Sequence, residues 1–285
     1  MIETVRTYLS FVRFSHTVFA LPFALTGALL ASRQHPVTWR HLLWIVVCMV
    51  TARSAAMGFN RLVDARFDAA NPRTSSREIP SGRMSTTEAT AFVLVMSAAF
   101  VAAAGQLSRL CLFLSPVALV LIFWYSLAKR YTWATQLFLG LAMAIAPVGG
   151  WLAAGGGEGW EPWLLGLAIG LWVGGFDVLY ACQDLEVDRR QHLMSIPVRF
   201  GVARSLWISR AMHIGTIACL ALLGFIAALG PVYFFGVAAV AVLLVYEQSL
   251  VSATDLSNVK LAFDLNGYVG ILYFVITAIS VYAGR

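Results

Sequence analysis

The stretch "PVYFFGVAAVAVLLVYEQSL", residues 231–250, is an apolar run in which Glu247 is the only charged residue. A helix rises about 1.5 Å per residue, so a run of this length spans the hydrocarbon core of a bilayer, which is about 30 Å thick. Lipid offers no hydrogen-bond partners, so the backbone of such a run must satisfy its own polar groups as a helix. The adjoining Gly230 and Pro231 suit a tight turn between antiparallel helices. The stretch therefore predicts a membrane-spanning helix that begins at Pro231.

Similar runs recur along the whole chain. Of its 285 residues, 60% are hydrophobic and 12% are charged, whereas soluble proteins are about half apolar and about a quarter charged. The sequence therefore predicts an all-α, polytopic membrane protein that forms one domain, residues 1–285, with nine transmembrane helices. The candidate spans lie near residues 14–32, 40–60, 88–105, 109–127, 132–154, 162–183, 204–228, 231–250 and 263–283.

Basic side chains concentrate in three connections between these spans, near residues 61–87, 128–131 and 184–203. The connection near 155–161, "GGGEGWE", has no Lys or Arg. Lys and Arg are in excess on the cytoplasmic side of membrane proteins. We therefore expect these three loops and the N-terminus in the cytoplasm, with the protein in a bacterial-type inner membrane. The net charge of +6 is then explained by basic loops that orient the protein in a lipid bilayer, and no nucleic-acid partner is expected.

The densest cluster of charge is "NRLVDARFDAANPRTSSREIPSGR", residues 60–83, which contains three acids and five arginines. Asn60, Asp64 and Asp68 follow one another at intervals of four residues. Each such step along a helix turns by about 40° and climbs about 6 Å. These three side chains, called the first acidic row, are therefore expected on one helix face.

A second cluster is "GFDVLYACQDLEVDRRQ", residues 175–191. On an ideal helix, Asp177, Asp184 and Asp188 fall within about 40° of one another, with Tyr180 beside them. These three acids are called the second acidic row. Both rows are expected to run from inside the membrane to its cytoplasmic edge.

The two rows together predict a metal site. Carboxylates that converge without neutralisation repel one another, and Mg²⁺ prefers oxygen ligands from carboxylates, phosphates and water. Arg-rich loops beside two acidic rows suit a diphosphate that Mg²⁺ bridges to the acids while basic side chains bind its outer oxygens. The alternative interpretation is that the acids are solvated loop charges paired with nearby arginines.

Two charges lie deeper in the predicted membrane region. Arg53 is seven residues before Asn60, on the same face and about 10 Å further in, and Asp177 stands in a similar relation to Asp184. An ionisable residue inside a span is costly and by default indicates function. Arg53 and Asp177 either form a structural pair that closes the bundle or line a polar chamber for a second substrate; the two interpretations are compatible.

These motifs resemble the UbiA superfamily of intramembrane prenyltransferases, in particular the branch of 4-hydroxybenzoate polyprenyltransferases and their menaquinone-pathway relatives. The resemblance runs almost from end to end, and it rests on paired acidic motifs rather than on a single DxxxD. The segments that carry it, besides Asn60, Asp64 and Asp68, are "RFSHTVFALPFALTG" (13–27), "NPRTSSREIPSG" (71–82), "YSLAKRYTW" (125–133), "YACQDLEVD" (180–188), "SIPVRFG" (195–201) and "EQSLVSATDLSNVKLAFDLNGYVGILYF" (247–274).

The resemblance implies a helical bundle around a central polar cavity that opens sideways to lipid. It implies Mg²⁺-dependent transfer of a polyprenyl group from polyprenyl diphosphate to an aromatic acid acceptor, either 4-hydroxybenzoate or a dihydroxynaphthoate, in ubiquinone or menaquinone biosynthesis. It also assigns roles by position, with the five acids of the two rows as catalytic residues. The implied metal ligands are Asn60, Asp64, Asp68, Asp184 and Asp188; the diphosphate-binding residues are Arg73, Arg77, Lys129 and Arg13; the acceptor-binding residues are Arg53, Tyr125, Tyr180 and Asp177.

Some positions depart from the family pattern, and some rival functions stay open. Asp264 and Met194 stand where other residue types are expected, and both are candidates for positions that bear on acceptor choice. A CDP-alcohol phosphotransferase would need a D-G-x-x-A-R run shortly before its acidic pair, and the sequence has none. A haem or chlorophyll precursor as acceptor stays open. A secondary transporter with Arg53 and Asp177 as an ion path is disfavoured, because the acidic rows lie at one membrane face.

Overall fold

The computed structural model describes residues 7–8, 10–12 and 20–283, and this part of the chain is helical, without β-strands. Eight of its helices are long and apolar enough to cross a membrane. In chain order the helices are α1 Leu21–Ala31, α2 Trp39–Ala69, α3 Thr86–Leu107, α4 Arg109–Ala128, α5 Thr135–Ala153, α6 Glu161–Ala181, α7 Leu185–Arg190, α8 Ile196–Phe200, α9 Val202–Ile226, α10 Pro231–Ser249 and α11 Val259–Ala283.

Eight of the nine candidate spans are confirmed as helices of spanning length. The first candidate, 14–32, includes residues 14–19, which lie outside the described residues. Its described part is α1, which has 11 residues and is shorter than the roughly 20 that a span needs. The ninth span therefore stays a prediction, while the all-α membrane bundle is confirmed.

Polar residues set the ends of several helices. The Thr38 side chain accepts a hydrogen bond from the backbone N–H of His41 at the start of α2. Ser85 and Glu88 form a reciprocal capping box at the start of α3, and Pro231 opens α10 as expected. Such caps satisfy the N–H groups that the first turn of a helix leaves unpaired.

Helix α6 is the most deeply buried of the eight spans. It packs against α5 where Gly140 faces Gly170, so closely that a side chain on Gly140 would overlap the opposing carbonyl. From the other side, Ser209 Oγ of α9 donates to the Gly175 carbonyl at 2.7 Å, and His213 Nε2 lies 3.3 Å from the Trp172 carbonyl. Small residues and interhelical hydrogen bonds are the usual means of packing helices in lipid, and here they fix α6, which carries Asp177.

Two further polar residues in the bundle have a packing role. Trp172 Nε1 donates to Asn266 Oδ1 at 2.8 Å, and Asn266 Nδ2 donates to Glu247 Oε1 at 3.0 Å. Both Asn266 and Glu247 are about 1% exposed. This buried chain of hydrogen bonds joins α6, α11 and α10.

The ends of α2, α4 and α6 meet at one end of the bundle, called the acidic end. The structure corrects the predicted loops here. Residues 61–69 were expected in a loop, but α2 continues through them to Ala69. The segment 184–203 likewise contains the short helices α7 and α8. Both acidic rows therefore lie on helical backbone, as expected from their spacing, and the loops begin later than predicted.

Candidate active site

The first acidic row lies on the last turns of α2, on one face of the helix as predicted. Asp64 and Asp68 are buried, with 3% and 7% of their surfaces exposed. Asn60 Nδ2 donates to Asp64 Oδ2 at 3.3 Å. Beyond the row, Thr74 Oγ1 donates to the Asp68 carbonyl at 3.1 Å, which also accepts the Asn71 N–H at 3.2 Å.

Asp64 is neutralised by two consecutive basic residues that follow α4. Lys129 Nζ lies 2.6 Å from Asp64 Oδ2, and Arg130 Nη2 lies 3.0 Å from Asp64 Oδ1. Arg130 also donates to the Val63 carbonyl. The ring of Phe67 lies beneath both cations, 5.8 Å from Lys129 Nζ and 5.1 Å from Arg130 Cζ, a geometry suited to cation–π attraction. The segment between α4 and α5 is thus anchored on the first row.

Asp68 has its own cation, from the segment that follows α2. Arg77 Nη1 donates to both carboxylate oxygens of Asp68, at 2.7 and 2.8 Å. Charge-assisted hydrogen bonds of this kind are roughly twice as strong as neutral ones. The predicted diphosphate residue Arg77 therefore lies directly beside a predicted metal ligand.

The second row lies where α6 passes into α7. The two helices are joined by a 3₁₀ turn, Cys182–Asp184. A 3₁₀ turn has three residues per turn instead of 3.6, so the ideal α-helical angles predicted for Asp177, Asp184 and Asp188 do not hold across it. The expectation of one regular α-helical face is wrong for this row, although all three acids follow one another along the same continuous helical segment.

Arg73 links the segment that follows the first row to the second row. It comes shortly after the first row in sequence, but its Nη2 lies 2.7 Å from Asp184 Oδ2 in the second row. Its Nη1 donates to the Tyr180 hydroxyl at 3.2 Å, and the guanidinium lies over the Tyr180 ring, 5.7 Å from the centroid. Two acidic motifs about 120 residues apart in the sequence are therefore brought to the same end of the bundle.

Other contacts also tie the rows together. Asp188 is close enough to Asp184, Lys129 and Arg73 for their charges to act on its carboxyl group. The Met194 N–H donates to the Lys129 carbonyl at 2.7 Å. The side chain of Met194, one of the departures from the family pattern, is 43% exposed, so this position contributes its backbone to the acidic end.

Three predicted acceptor residues gather deeper in the bundle. Partly buried Tyr125, on α4, interacts electrostatically with Arg53 of α2 and Asp177 of α6, and also with Asp64. Asp177 in turn is influenced by the charges of the other two acids in its row. Arg53, Tyr125 and Asp177 therefore lie close enough for their charges to interact, and their role in binding the acceptor stays a prediction. Arg13, the remaining predicted site residue, lies outside the described residues.

The donor chemistry of the site fits Mg²⁺, although the carboxylates are paired with basic side chains. Within residues 7–8, 10–12 and 20–283, no group of three or more His, Cys, Asp or Glu side chains could hold a metal ion as placed. Asp64, Asp68 and Asp184 are each bound to Lys or Arg, as the alternative interpretation of the acids expected. Carboxylate oxygens are nevertheless the hard ligands that Mg²⁺ prefers, and those of Asp64, Asp68 and Asp184 all lie at the acidic end.

A model of the UbiA prenyltransferase family matches residues 20–275 of this chain. The chain belongs to this family. The resemblance carried by the paired motifs is thereby confirmed, and the UbiA-family protein is an enzyme of the prenyltransferase class embedded in a membrane by several spans.

Several known proteins are similar to this UbiA-family protein. It is 30% identical over 275 residues to a 4-hydroxybenzoate octaprenyltransferase of Vibrio campbellii, with 96% of each chain covered. It is 32% identical over 243 residues to a protein of the same name from Citrobacter koseri, with 84% of this chain and 83% of that one covered. A UbiA homolog from Aeropyrum pernix has a TM-score of 0.85 at 34% identity, with 92% of this chain and 96% of that one covered.

A UbiA homolog from Archaeoglobus fulgidus, solved bound to GPP and Mg²⁺, has a TM-score of 0.70 over 97% of this chain and 99% of that one. Its sequence identity is 18%, so this likeness shows the fold alone.

Sequence reasoning missed two residues of the site. Arg130 follows Lys129 directly in "YSLAKRYTW", and that adjacency was the available signal for a second cation. Gln191 follows α7 and donates to the Phe67 carbonyl of α2 at 3.1 Å. The sequence contains no sign of this contact, because a neutral side chain that binds a distant backbone oxygen leaves no pattern in the sequence.

Proposed function

We propose that this UbiA-family protein transfers a polyprenyl group from polyprenyl diphosphate to an aromatic acid, with 4-hydroxybenzoate as the first candidate acceptor, in a reaction that requires Mg²⁺. The observation that carries the proposal is the set of ion pairs at the acidic end: Lys129 binds Asp64 of the first row, and Arg73, from the segment after that row, binds Asp184 and Tyr180. The choice of acceptor is supported by the relatives named 4-hydroxybenzoate octaprenyltransferase. The need for Mg²⁺ is supported by the structural neighbour bound to GPP and Mg²⁺.

The metal and the diphosphate would share the space between the rows. The proposed Mg²⁺ ligands are Asn60, Asp64, Asp68, Asp184 and Asp188, and bound Mg²⁺ would neutralise charge that develops on the leaving diphosphate. Arg73, Arg77 and Lys129 hold acids of the rows in this structure. On ligand binding these cations would exchange carboxylate oxygens for diphosphate oxygens, which offer the same charge-assisted hydrogen bonds.

The bond changes follow from this arrangement. The allylic C–O bond of the substrate breaks, and its electron pair leaves with the diphosphate that Arg73, Arg77 and Lys129 bind. The π-faces of Tyr125 and Tyr180 would stabilise the allylic cation, and the enclosing helices would exclude water that could capture it. The acceptor ring carbon ortho to the phenolic hydroxyl then forms a C–C bond to the allylic cation and afterwards loses its proton.

The deeper group would bind the acceptor. The Arg53 guanidinium can bind the acceptor carboxylate through two parallel hydrogen bonds, and its position near Tyr125 and Asp177 would place the phenol ring between them. Asp177 would either orient the ring hydroxyl or receive the proton that the ring carbon loses. Arg13 is proposed to assist at the diphosphate.

The membrane setting suits the same substrates. A prenyl chain is as apolar as lipid, so it can reach the site without leaving the bilayer. We place the acidic end and the N-terminus in the cytoplasm of a bacterial cell, with the protein in the inner membrane. The support is the excess of Lys and Arg in the connections at that end.

The test is a reconstituted assay with purified protein, geranyl or farnesyl diphosphate, Mg²⁺ and a panel of acceptors. The panel contains 4-hydroxybenzoate, 1,4-dihydroxy-2-naphthoate and a porphyrin precursor, so that each acceptor class can be recognised by mass spectrometry. We expect a prenylated 4-hydroxybenzoate and an equal amount of released diphosphate, both abolished by EDTA. Prenylation of the naphthoate alone would reassign the acceptor, and no product with any acceptor would contradict the proposed function.

A further inference from the structure

The end of α2 is held by a residue from the other acidic motif. The last carbonyls of a helix lack partners within the helix. Near this end, the Phe67 carbonyl accepts the Ala70 N–H at 3.2 Å and also a hydrogen bond at 3.1 Å from Gln191 Nε2, which is 124 residues away in the sequence. Phe67 lies between Asp64 and Asp68 in sequence, and its ring lies beneath Lys129 and Arg130. A contact to this backbone therefore fixes the first row.

Gln191 is equally well fixed to the second row. It directly follows α7, and its N–H donates to the Val187 carbonyl at 3.0 Å. The Leu193 N–H returns to the Asp188 carbonyl at 2.9 Å, with His192 in the left-handed region at φ 54°. This compact turn leaves Gln191 little freedom relative to Asp188.

Gln191 differs from the charged contacts in one respect that bears on ligand binding. Arg73 links the segment after the first row to Asp184, but it is expected to move onto the diphosphate. The acceptor of Gln191 is a backbone carbonyl that neither a metal ion nor a diphosphate needs. Being neutral, Gln191 also adds no charge that would compete for the carboxylates. Its hydrogen bond can therefore persist when the ion pairs exchange.

We propose that Gln191 is a positioning residue that holds the two acidic rows at the separation required for shared divalent ions. It touches neither the metal nor the substrate and acts through the backbone of Phe67. This inference rests on the proposed function, since it concerns metal binding between the same two rows.

The test compares Gln191→Leu and Gln191→Asn with the purified full-length protein. Leu keeps the volume and removes the donor; Asn keeps the polarity but is too short to reach the Phe67 carbonyl. Mn²⁺ binding is measured by electron paramagnetic resonance in the presence of geranyl S-thiolodiphosphate, an unreactive analogue. Because a neutral hydrogen bond contributes modestly, we expect about fivefold weaker Mn²⁺ binding in both variants. Gln106→Leu, at an exposed position near the far end of α3, is the matched control and should bind like the wild type.

Kinetics separate positioning from general damage. A positioning role predicts that KM for Mg²⁺ rises about fivefold while kcat at saturating Mg²⁺ stays within about twofold. Unchanged Mn²⁺ affinity and an unchanged KM for Mg²⁺ in both variants would overturn the inference. A loss of kcat that excess Mg²⁺ does not restore would overturn it too, because it would indicate structural damage. If the wild type itself bound no Mn²⁺ with the analogue, the proposed function would fail first.

Discussion

Arg73→Gln should change the two ligand affinities in opposite directions. Arg73 holds Asp184 in this structure and is proposed to bind the diphosphate in the complex. Removing its charge frees a carboxylate for a metal ion and deletes a donor to the diphosphate. A residue with a merely structural role would lower both affinities together, so the opposed signs are diagnostic.

The magnitudes follow from the exposure of the pair. The side chains of Arg73 and Asp184 are 40% and 21% exposed, so solvent screens the ion pair and it contributes about 0.5–1 kcal/mol. Binding of a divalent ion alone should therefore improve about two- to fivefold. A hydrogen bond to a charged group contributes about 1.5–3 kcal/mol, so affinity for the diphosphate at saturating metal should fall about ten- to a hundredfold.

The assay uses Mn²⁺ titration by electron paramagnetic resonance for the metal alone. Isothermal titration calorimetry with geranyl S-thiolodiphosphate at saturating Mg²⁺ gives the second affinity. Arg189→Gln is the matched control, because Arg189 is exposed and pairs with Glu186 rather than with either acidic row. The reasoning is refuted if Arg73→Gln weakens metal binding, or if it leaves the affinity for the diphosphate analogue unchanged.

Three further predictions concern catalysis and stability. Asp64→Asn should reduce turnover at least about a thousandfold, because it removes the charge of a proposed metal ligand. The protein should still elute as a folded species in size-exclusion chromatography, and retained turnover would remove Asp64 from the site. Trp172→Phe leaves the buried Asn266 oxygen without its indole donor and should lower the free energy of unfolding by about 1–3 kcal/mol. The thermal midpoint in detergent should fall while KM stays unchanged. An unchanged midpoint would contradict the stabilising role of this hydrogen-bond network. The methyl group added by Gly140→Ala would overlap a carbonyl of α6, whereas that of Gly149→Ala meets open space. Only Gly140→Ala should therefore lower the thermal midpoint, by an amount that corresponds to about 1–3 kcal/mol. Equal midpoints for the two variants would contradict the close packing of α5 on α6.

The spans and the first acidic row were predictable because each rests on a local period. Twenty apolar residues predict a helix in lipid, and Asn60, Asp64 and Asp68 share a face on any α-helix. The end of α2 was misplaced because charged residues usually indicate a loop. Here the charges stay on the helix, since Lys129 and Arg77 neutralise Asp64 and Asp68.

The details of the second row depend on contacts that a sequence does not contain. The 3₁₀ turn Cys182–Asp184 changes the helical phase without a Gly or Pro to mark it. The partnership of Arg73 with Asp184 and that of Gln191 with Phe67 each span more than 100 residues. Long-range pairs of this kind are determined by how the helices pack rather than by spacing within one segment.

The central claim is that the two acidic rows bind shared divalent ions together with a prenyl diphosphate. The most direct measurement is anomalous diffraction from crystals of the protein grown with Mn²⁺ and geranyl S-thiolodiphosphate. The account predicts manganese peaks between Asp64 or Asp68 on one side and Asp184 or Asp188 on the other, with the thiolodiphosphate between them. Manganese bound to one row alone, or a thiolodiphosphate bound away from both rows, would contradict it.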